Sequence, residues 1–163
     1  MKCVNKELTE KLAKHLGIIH KISLLYTNNK ADREDLFQDI CFQVCRSYNS
    51  YRKEAKFSTW LYRVAINTAI TQVRKSRSKI FPNGTLEELS EATGNTPENE
   101  HSQLLFQAIS QLNKIDRAII MLWLEEHNYD EIADILGISN SNAGVRINRA
   151  KSKLEKILQP YFT

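Results

Sequence analysis

Residues 129–154, YDEIADILGISNSNAGVRINRAKSKL, decide the fold. Tyr129, Ile132, Ala133 and Leu136 recur at helical spacing and stop at Gly137, a residue that takes positive φ at a helix end without steric cost. After Ile138, the polar run Ser139, Asn140, Ser141 and Asn142 can cap a second helix, whose apolar residues Ala143, Ile147, Ala150, Leu154 and Leu158 again fall three and four apart. A short helix, a tight turn and a longer helix are the parts of a helix-turn-helix. Ala133 is small where the two helices would cross, and Ile138 would plug the core beneath the turn. Arg146, Asn148, Arg149 and Lys151 are left facing outward. Gly144–Leu158 holds 5 basic residues and one acidic, whereas Lys114–Asp134 holds 2 and 6, so a basic helix follows an acidic stretch. An α-helix fits the major groove of B-form DNA, where Arg and Asn read base edges and other cations neutralise phosphates. A plain helical hairpin with a solvated basic face is the bland alternative, which the spacing of Ala133, Gly137 and Ile138 disfavours.

Upstream of this unit, Leu104, Leu105, Ala108, Ile109 and Leu112 mark one helix, and Ile119, Ile120, Leu122, Trp123 and Leu124 mark a second, more fully buried one. Residues 77–100, RSKIFPNGTLEELSEATGNTPENE, hold two of the three Pro and two of the five Gly with almost no apolar periodicity. This stretch is expected to be a flexible acidic linker, since so long a structureless segment is unusual inside one compact domain. On its N-terminal side, Leu8, Leu12, Leu16 or Ile19, Ile22 and Leu25 predict one amphipathic helix, and Leu36, Ile40, Val44 and Tyr48 predict another. A third should begin near Ser58, capped by the Ser58–Thr59 pair, and carry Trp60, Leu61, Val64, Ala65, Thr68 and Val73. Strand-like alternation is absent. The expectation is an all-α chain of two small helical domains, 1–76 and 101–163, joined by the linker at 77–100.

Composition narrows the function. The 163 residues are 42% hydrophobic and 26% charged, which suits globular domains and excludes both wholesale disorder and a large multi-domain enzyme. The net charge of +4 is unevenly spread: Met1–Ser76 carries 14 basic and 7 acidic residues, the linker 2 and 5. The N-terminal stretch has no signal-peptide core, and no run approaches the roughly 18 apolar residues of a membrane span, so a cytoplasmic protein without membrane insertion is expected. Cys3, Cys41 and Cys45 have neither disulfide-ladder nor metal-ligand spacing and are expected to be reduced thiols, the last two packing within one helix. His15, His20, His101 and His127 are scattered, and the chain has no Gly-rich phosphate loop, HExxH, GxSxG or CxxC. No enzymatic activity, metal, cofactor or small-molecule substrate is expected.

Two further constellations lie in the N-terminal half. KFSTWLYRVAINTAITQVRKSR, residues 56–77, interleaves Phe57, Trp60 and Tyr62 with Arg63, Asn67, Arg74, Lys75 and Arg77. Aromatic faces stack on unpaired bases, at roughly 1–3 kcal/mol each, while cations track the backbone; plain core packing of Phe57 and Trp60 is an equal alternative. ADREDLFQDICFQVCRSY, residues 31–48, gathers Asp32, Glu34, Asp35, Gln38 and Asp39 beside Leu36 and Phe42. Acids at a helix start are expected in any case.

Taken in order, the three constellations resemble the extracytoplasmic-function type of RNA polymerase sigma factor. DREDLFQDI at 32–40 looks like the polymerase-binding helix of that family, FSTWLYRVAINTAITQVRKSR at 57–77 like its minus-ten melting and reading region, and residues 129–154 like its minus-thirty-five domain. The resemblance implies a specificity subunit that binds core RNA polymerase and directs it to promoters without chemistry of its own. Glu34, Asp35, Leu36, Gln38 and Asp39 would dock on the β′ clamp, and hydrophobic residues of the second domain would meet the β flap. Phe57, Ser58, Thr59, Trp60, Arg63, Asn67, Arg74 and Lys75 would meet the opened minus-ten strand. Asn142, Gly144, Arg146, Asn148, Arg149 and Lys151 would meet minus-thirty-five duplex, and an anti-sigma factor is implied as a further partner. The chain departs from the family pattern at Thr71, usually acidic, at Cys45, usually aromatic, and at Gly144, often a cation. A stand-alone helix-turn-helix regulator that never touches polymerase is the alternative, and a sigma-like decoy without DNA binding a more distant one.

Overall fold

Asn5 opens the first helix by accepting hydrogen bonds from the backbone of Glu7 and Leu8, and α1 runs Lys6–Leu25. The computed structural model describes residues 5–76 and 100–162, with the side chains of 74–76 left aside. The linker predicted at 77–100 therefore lies outside the described residues except for Glu100. Three helices precede it: α1, α2 at Lys30–Ser47 and α3 at Phe57–Ser76. Four follow it: α4 at Glu100–Ser110, α5 at Lys114–Leu124, α6 at Tyr129–Leu136 and α7 at Asn140–Leu158. Two 3-10 turns, Tyr48–Ser50 and Gln159–Tyr161, complete the described elements, none of which is a strand.

The periodicity of the sequence accounts for the cores. Ile19, Ile22, Leu36, Ile40, Val44, Leu61, Ala65, Ile66 and Ala69 are buried where α1, α2 and α3 pack together. Ile19 takes the core position that Leu16 could have held, because a kink at His15 (φ −123°, ψ 16°) turns the helix face and leaves Leu16 exposed. α3 begins at Phe57, one residue ahead of expectation. Ser58 and Thr59 consequently sit inside the first turn, where the Trp60 N–H already donates to the Lys56 carbonyl at 3.1 Å. In the second group Ile119, Ile120, Leu122, Ile132, Ile135, Ile147 and Ala150 are buried, whereas Leu124 reaches solvent at the end of α5.

The thiols need a correction. Cys41 is free, and burial pushes its thiol up, which keeps it protonated and inert. Cys45 is disulfide-bonded, and Cys3 lies outside the described residues. Sequence spacing does not constrain which sulfurs meet in space, so the expectation of three reduced thiols had no purchase there.

Instead of standing apart, the two groups of helices pack against one another, with α3 lying on α6 and α5. Arg117 of α5 is buried, donating from Nε to the Leu112 carbonyl at 2.8 Å and from Nη1 across the boundary to the Leu25 carbonyl at 3.2 Å. Its guanidinium lies 5.8 Å from the ring centroid of Tyr26, whose hydroxyl donates to the Lys114 carbonyl. Glu125 is a second tie. It accepts from Lys21 Nζ at 2.6 Å and from the Tyr62 hydroxyl, while Tyr62 also meets the His127 ring edge-on.

Candidate nucleic-acid and polymerase interfaces

The helix-turn-helix forms as its sequence dictates. Gly137 closes α6 in the left-handed region (φ 69°, ψ 37°), with its N–H and that of Ile138 bonded to the Ala133 carbonyl. Ser139 then caps α7, its hydroxyl accepting from the Asn142 N–H at 3.1 Å. Ala143, Ile147, Ala150 and Leu154 anchor α7 on α4, α5 and α6, leaving the opposite face open.

The six residues expected to meet minus-thirty-five duplex do not share one stripe. Asn142, Arg146 and Arg149 fall on one flank of α7, and Gly144, Asn148 and Lys151 on the other, at about 100° per residue. Asn142, Asn148 and Arg149 are exposed, whereas Gly144, Arg146 and Lys151 are half-buried. Lys151 turns inward, its ammonium 4.6 Å above the ring of Trp123. That pair walls an open apolar cleft of about 740 Å³ shared with Leu154, Leu158 and Phe162. Val145, absent from the expected set, is 48% exposed at the apex of α7. Its signal was available, since it stands two residues from both Ala143 and Ile147 and so opposite the buried stripe.

On α2, Glu34, Asp35 and Gln38 are exposed, Asp39 is half-buried and accepts from Gln72 of α3, and Leu36 is a core residue at 2% exposure. Leu36 therefore lies beneath the acidic face instead of presenting itself on it. Phe42 joins the face at 44% exposure, one helical repeat beyond Asp35 and in line with Gln38. The sequence already places it beside these acids, though outside the set expected to dock.

The strand-facing set of α3 divides more sharply. Phe57, Thr59 and Trp60 are buried, and Ser58 is half-buried. Trp60 packs on Tyr51 with centroids 5.0 Å apart and on Phe57 at 5.6 Å, with Tyr48 edge-on at 6.1 Å. Lys11 stands 5.7 Å from the Phe57 ring centre and 5.9 Å from that of Tyr51. These rings form a packing cluster that leaves neither Phe57 nor Trp60 an open face. Asn67 is exposed, and so is Arg63, whose guanidinium is committed across the boundary to the Asp134 carbonyl of α6, with Nε at 3.0 Å. The side chains of Arg74 and Lys75 lie outside the described residues.

Among the described residues no group of His, Cys, Asp and Glu is arranged to hold a metal ion, and no helix is long and apolar enough to cross a membrane.

Comparison with known proteins supplies the context for these faces. The model of sigma-70 region 2 matches residues 12–79, and that of sigma-70 region 4 matches residues 102–154. Among curated relatives, the ECF RNA polymerase sigma-E factor of Haemophilus influenzae is 31% identical over 160 residues, covering 86% of this chain and 83% of the relative. The ECF RNA polymerase sigma factor SigM of Mycobacterium tuberculosis is 25% identical over 146 residues, covering 89% and 74%. Among solved structures, the sigma factor RpoE in complex with the anti-sigma factor NepR from Bartonella quintana superposes with a TM-score of 0.73 at 19% identity, over 95% of this chain and 98% of that one. That likeness is one of fold.

Proposed function

The chain belongs to the extracytoplasmic-function RNA polymerase sigma factors, and on that premise we propose a division of labour between its two ends. As a sigma factor it binds core RNA polymerase and directs promoter-specific transcription initiation. Residues 1–76 take up polymerase and the minus-ten element, 101–163 take up the minus-thirty-five duplex, and 77–100 connect them. Polymerase supplies all the chemistry, and the action takes place where polymerase works, in the cytoplasm.

The observation that carries this assignment is the exposed stripe of Asp35, Gln38 and Phe42 on α2 together with the open polar face of α7. An acidic stripe with an apolar centre suits a basic, partly apolar clamp helix, here that of the β′ subunit, with Glu34 and Asp39 on its margins. The cleft between Trp123, Leu154 and Phe162 is the seat we assign to the β flap. On α3, Arg63 and Asn67 offer the side chains that reach an opened strand, with Arg74 and Lys75 extending the same helix, while Phe57, Ser58, Thr59 and Trp60 shape the platform beneath. Engagement of the strand by Arg63 requires its guanidinium to leave the Asp134 carbonyl. On α7, Asn142, Asn148 and Arg149 face the groove and Arg146 flanks it. Gly144 opens the backbone, and Lys151 contributes at the margin beside Trp123. The sigma factor RpoE was solved in complex with the anti-sigma factor NepR, and an anti-sigma factor is a partner we assign to this chain as well.

A single helix-turn-helix makes a modest interface, roughly 600–1,000 Å², and gains affinity when polymerase holds both grips on one promoter. Run-off transcription with purified core polymerase on the promoter of the protein's own operon tests the assignment. Addition of the chain should yield a transcript of defined start, while the isolated chain should bind that duplex weakly. Tight promoter binding without polymerase, and no redirected transcription with it, would instead identify a stand-alone regulator.

A further inference from the structure

At the tip of the recognition helix, two adjacent residues cost helix stability and serve no packing need. Val145 lies roughly 200° around α7 from both Ala143 and Ile147, and it is 48% exposed on a face otherwise made of Ser141, Asn142, Asn148, Arg149 and Ser152. The elements that pack on α7 are α4, α5, α6 and the last 3-10 turn, all met through the opposite side. Gly144 is equally unforced. It sits inside a helix, and a methyl group there would lie 3.5 Å from Cε2 and 3.7 Å from Cδ2 of Tyr129, ordinary contact distances. Valine and glycine are both poorer helix formers than the alanine that would fit either position. Val145 makes a low apolar spot in the middle of a polar, hydrogen-bonding surface.

The major groove presents one apolar group of matching size, the 5-methyl of thymine, among donors and acceptors that amides and guanidinium groups satisfy. We propose that Val145 is a base-reading residue whose isopropyl group packs against the 5-methyl of a thymine in the minus-thirty-five duplex. The proposal rests on the assignment of α7 to that duplex.

The test uses holoenzyme assembled from core polymerase and the full chain. Minus-thirty-five elements are selected from a promoter library randomised at that site, and each thymine is then replaced singly by deoxyuridine, which deletes only the methyl. One position should lose about fourfold in holoenzyme affinity, as expected for one buried methyl. Val145→Ala holoenzyme should bind the thymine and uracil templates equally at that position, and Val145→Thr, which keeps the branched shape, should retain part of the discrimination. Both substitutions are at an exposed position, and circular dichroism verifies the fold. A selected element without thymine, indifference of the wild type to every uracil, or an undiminished uracil effect in Val145→Ala would overturn the proposal while α7 keeps its assignment. Failure to select any minus-thirty-five sequence, with Arg149→Ala equally without effect, would overturn the assignment as well.

Discussion

Arg149 is exposed on the side of α7 that we assign to the groove, whereas Arg146 is half-buried. Arg149→Ala should therefore weaken minus-thirty-five recognition by about 1–3 kcal/mol. Footprinting of holoenzyme on matched and mutated elements would check it, and an unchanged footprint would remove Arg149 from the contact set. Two tyrosines give a pH dependence. Burial pushes the Tyr26 phenol far above its ordinary value, only partly opposed by the Arg117 charge. Burial and the Glu125 carboxylate do the same to Tyr62. Both phenols are held neutral in the folded chain. Their contribution is complete below the ordinary tyrosine value of about 10 and is lost as pH rises above it, because the unfolded chain releases its phenolic protons first. Chemical denaturation should show stability falling with alkaline pH above that point, with a shallower fall in Tyr26→Phe. At this scale the sequence spoke unevenly. Trp60 and Phe57 could equally have been platform or core, and three-dimensional neighbours such as Tyr51 and Lys11 decide for core.

α2 gives the prediction that belongs to an element. Asp35 is exposed beside Gln38 and Phe42. Asp35→Lys should abolish co-purification with core polymerase while the melting temperature moves little, since surface substitutions away from caps and cores usually change stability by less than about 0.5 kcal/mol. Retained association would count against the docking stripe. Elements were the most legible level. The three- and four-residue periods and the stops at Gly137 and Ser139 are local physics, and the helices follow them. The departures and open choices have local causes too. A kink at His15 settles the choice between Leu16 and Ile19 for Ile19, and the first turn of α3 took in Ser58 and Thr59 instead of being capped by them. Counting outward residues from the buried stripe would have found Val145. It would not have turned Lys151 toward Trp123, a choice made by a ring on another helix.

For the whole molecule, the ties between the two groups of helices had no signature in the sequence. Arg117, Tyr26, Lys21, Tyr62 and Glu125 are far apart along the chain, and nothing in their immediate neighbours marks them as partners. Glu125 gathers two of them, Lys21 and Tyr62. Glu125→Ala leaves the largely buried Tyr62 hydroxyl without that acceptor and should weaken the closed arrangement by roughly 1–3 kcal/mol. Small-angle scattering of the free chain should then report a larger radius of gyration, with the helix content of each group unchanged. An identical scattering curve would show that Glu125 does not hold the two groups together. The same substitution should free Arg63 more readily for the opened strand, since its guanidinium bonds across the same boundary, to the Asp134 carbonyl of α6.

The chain carries two tryptophans, one on each side of that boundary, in unlike surroundings: Trp60 is enclosed by Tyr48, Tyr51 and Phe57, and Trp123 is half-exposed beneath the ammonium of Lys151. An anionic quencher such as iodide will be drawn to the second by that positive charge and kept from the first by its enclosure. Intrinsic emission thus comes ready divided into two channels, and the darkening of one by added iodide lets an unlabelled sample report whether a partner has covered the Trp123 end of the protein.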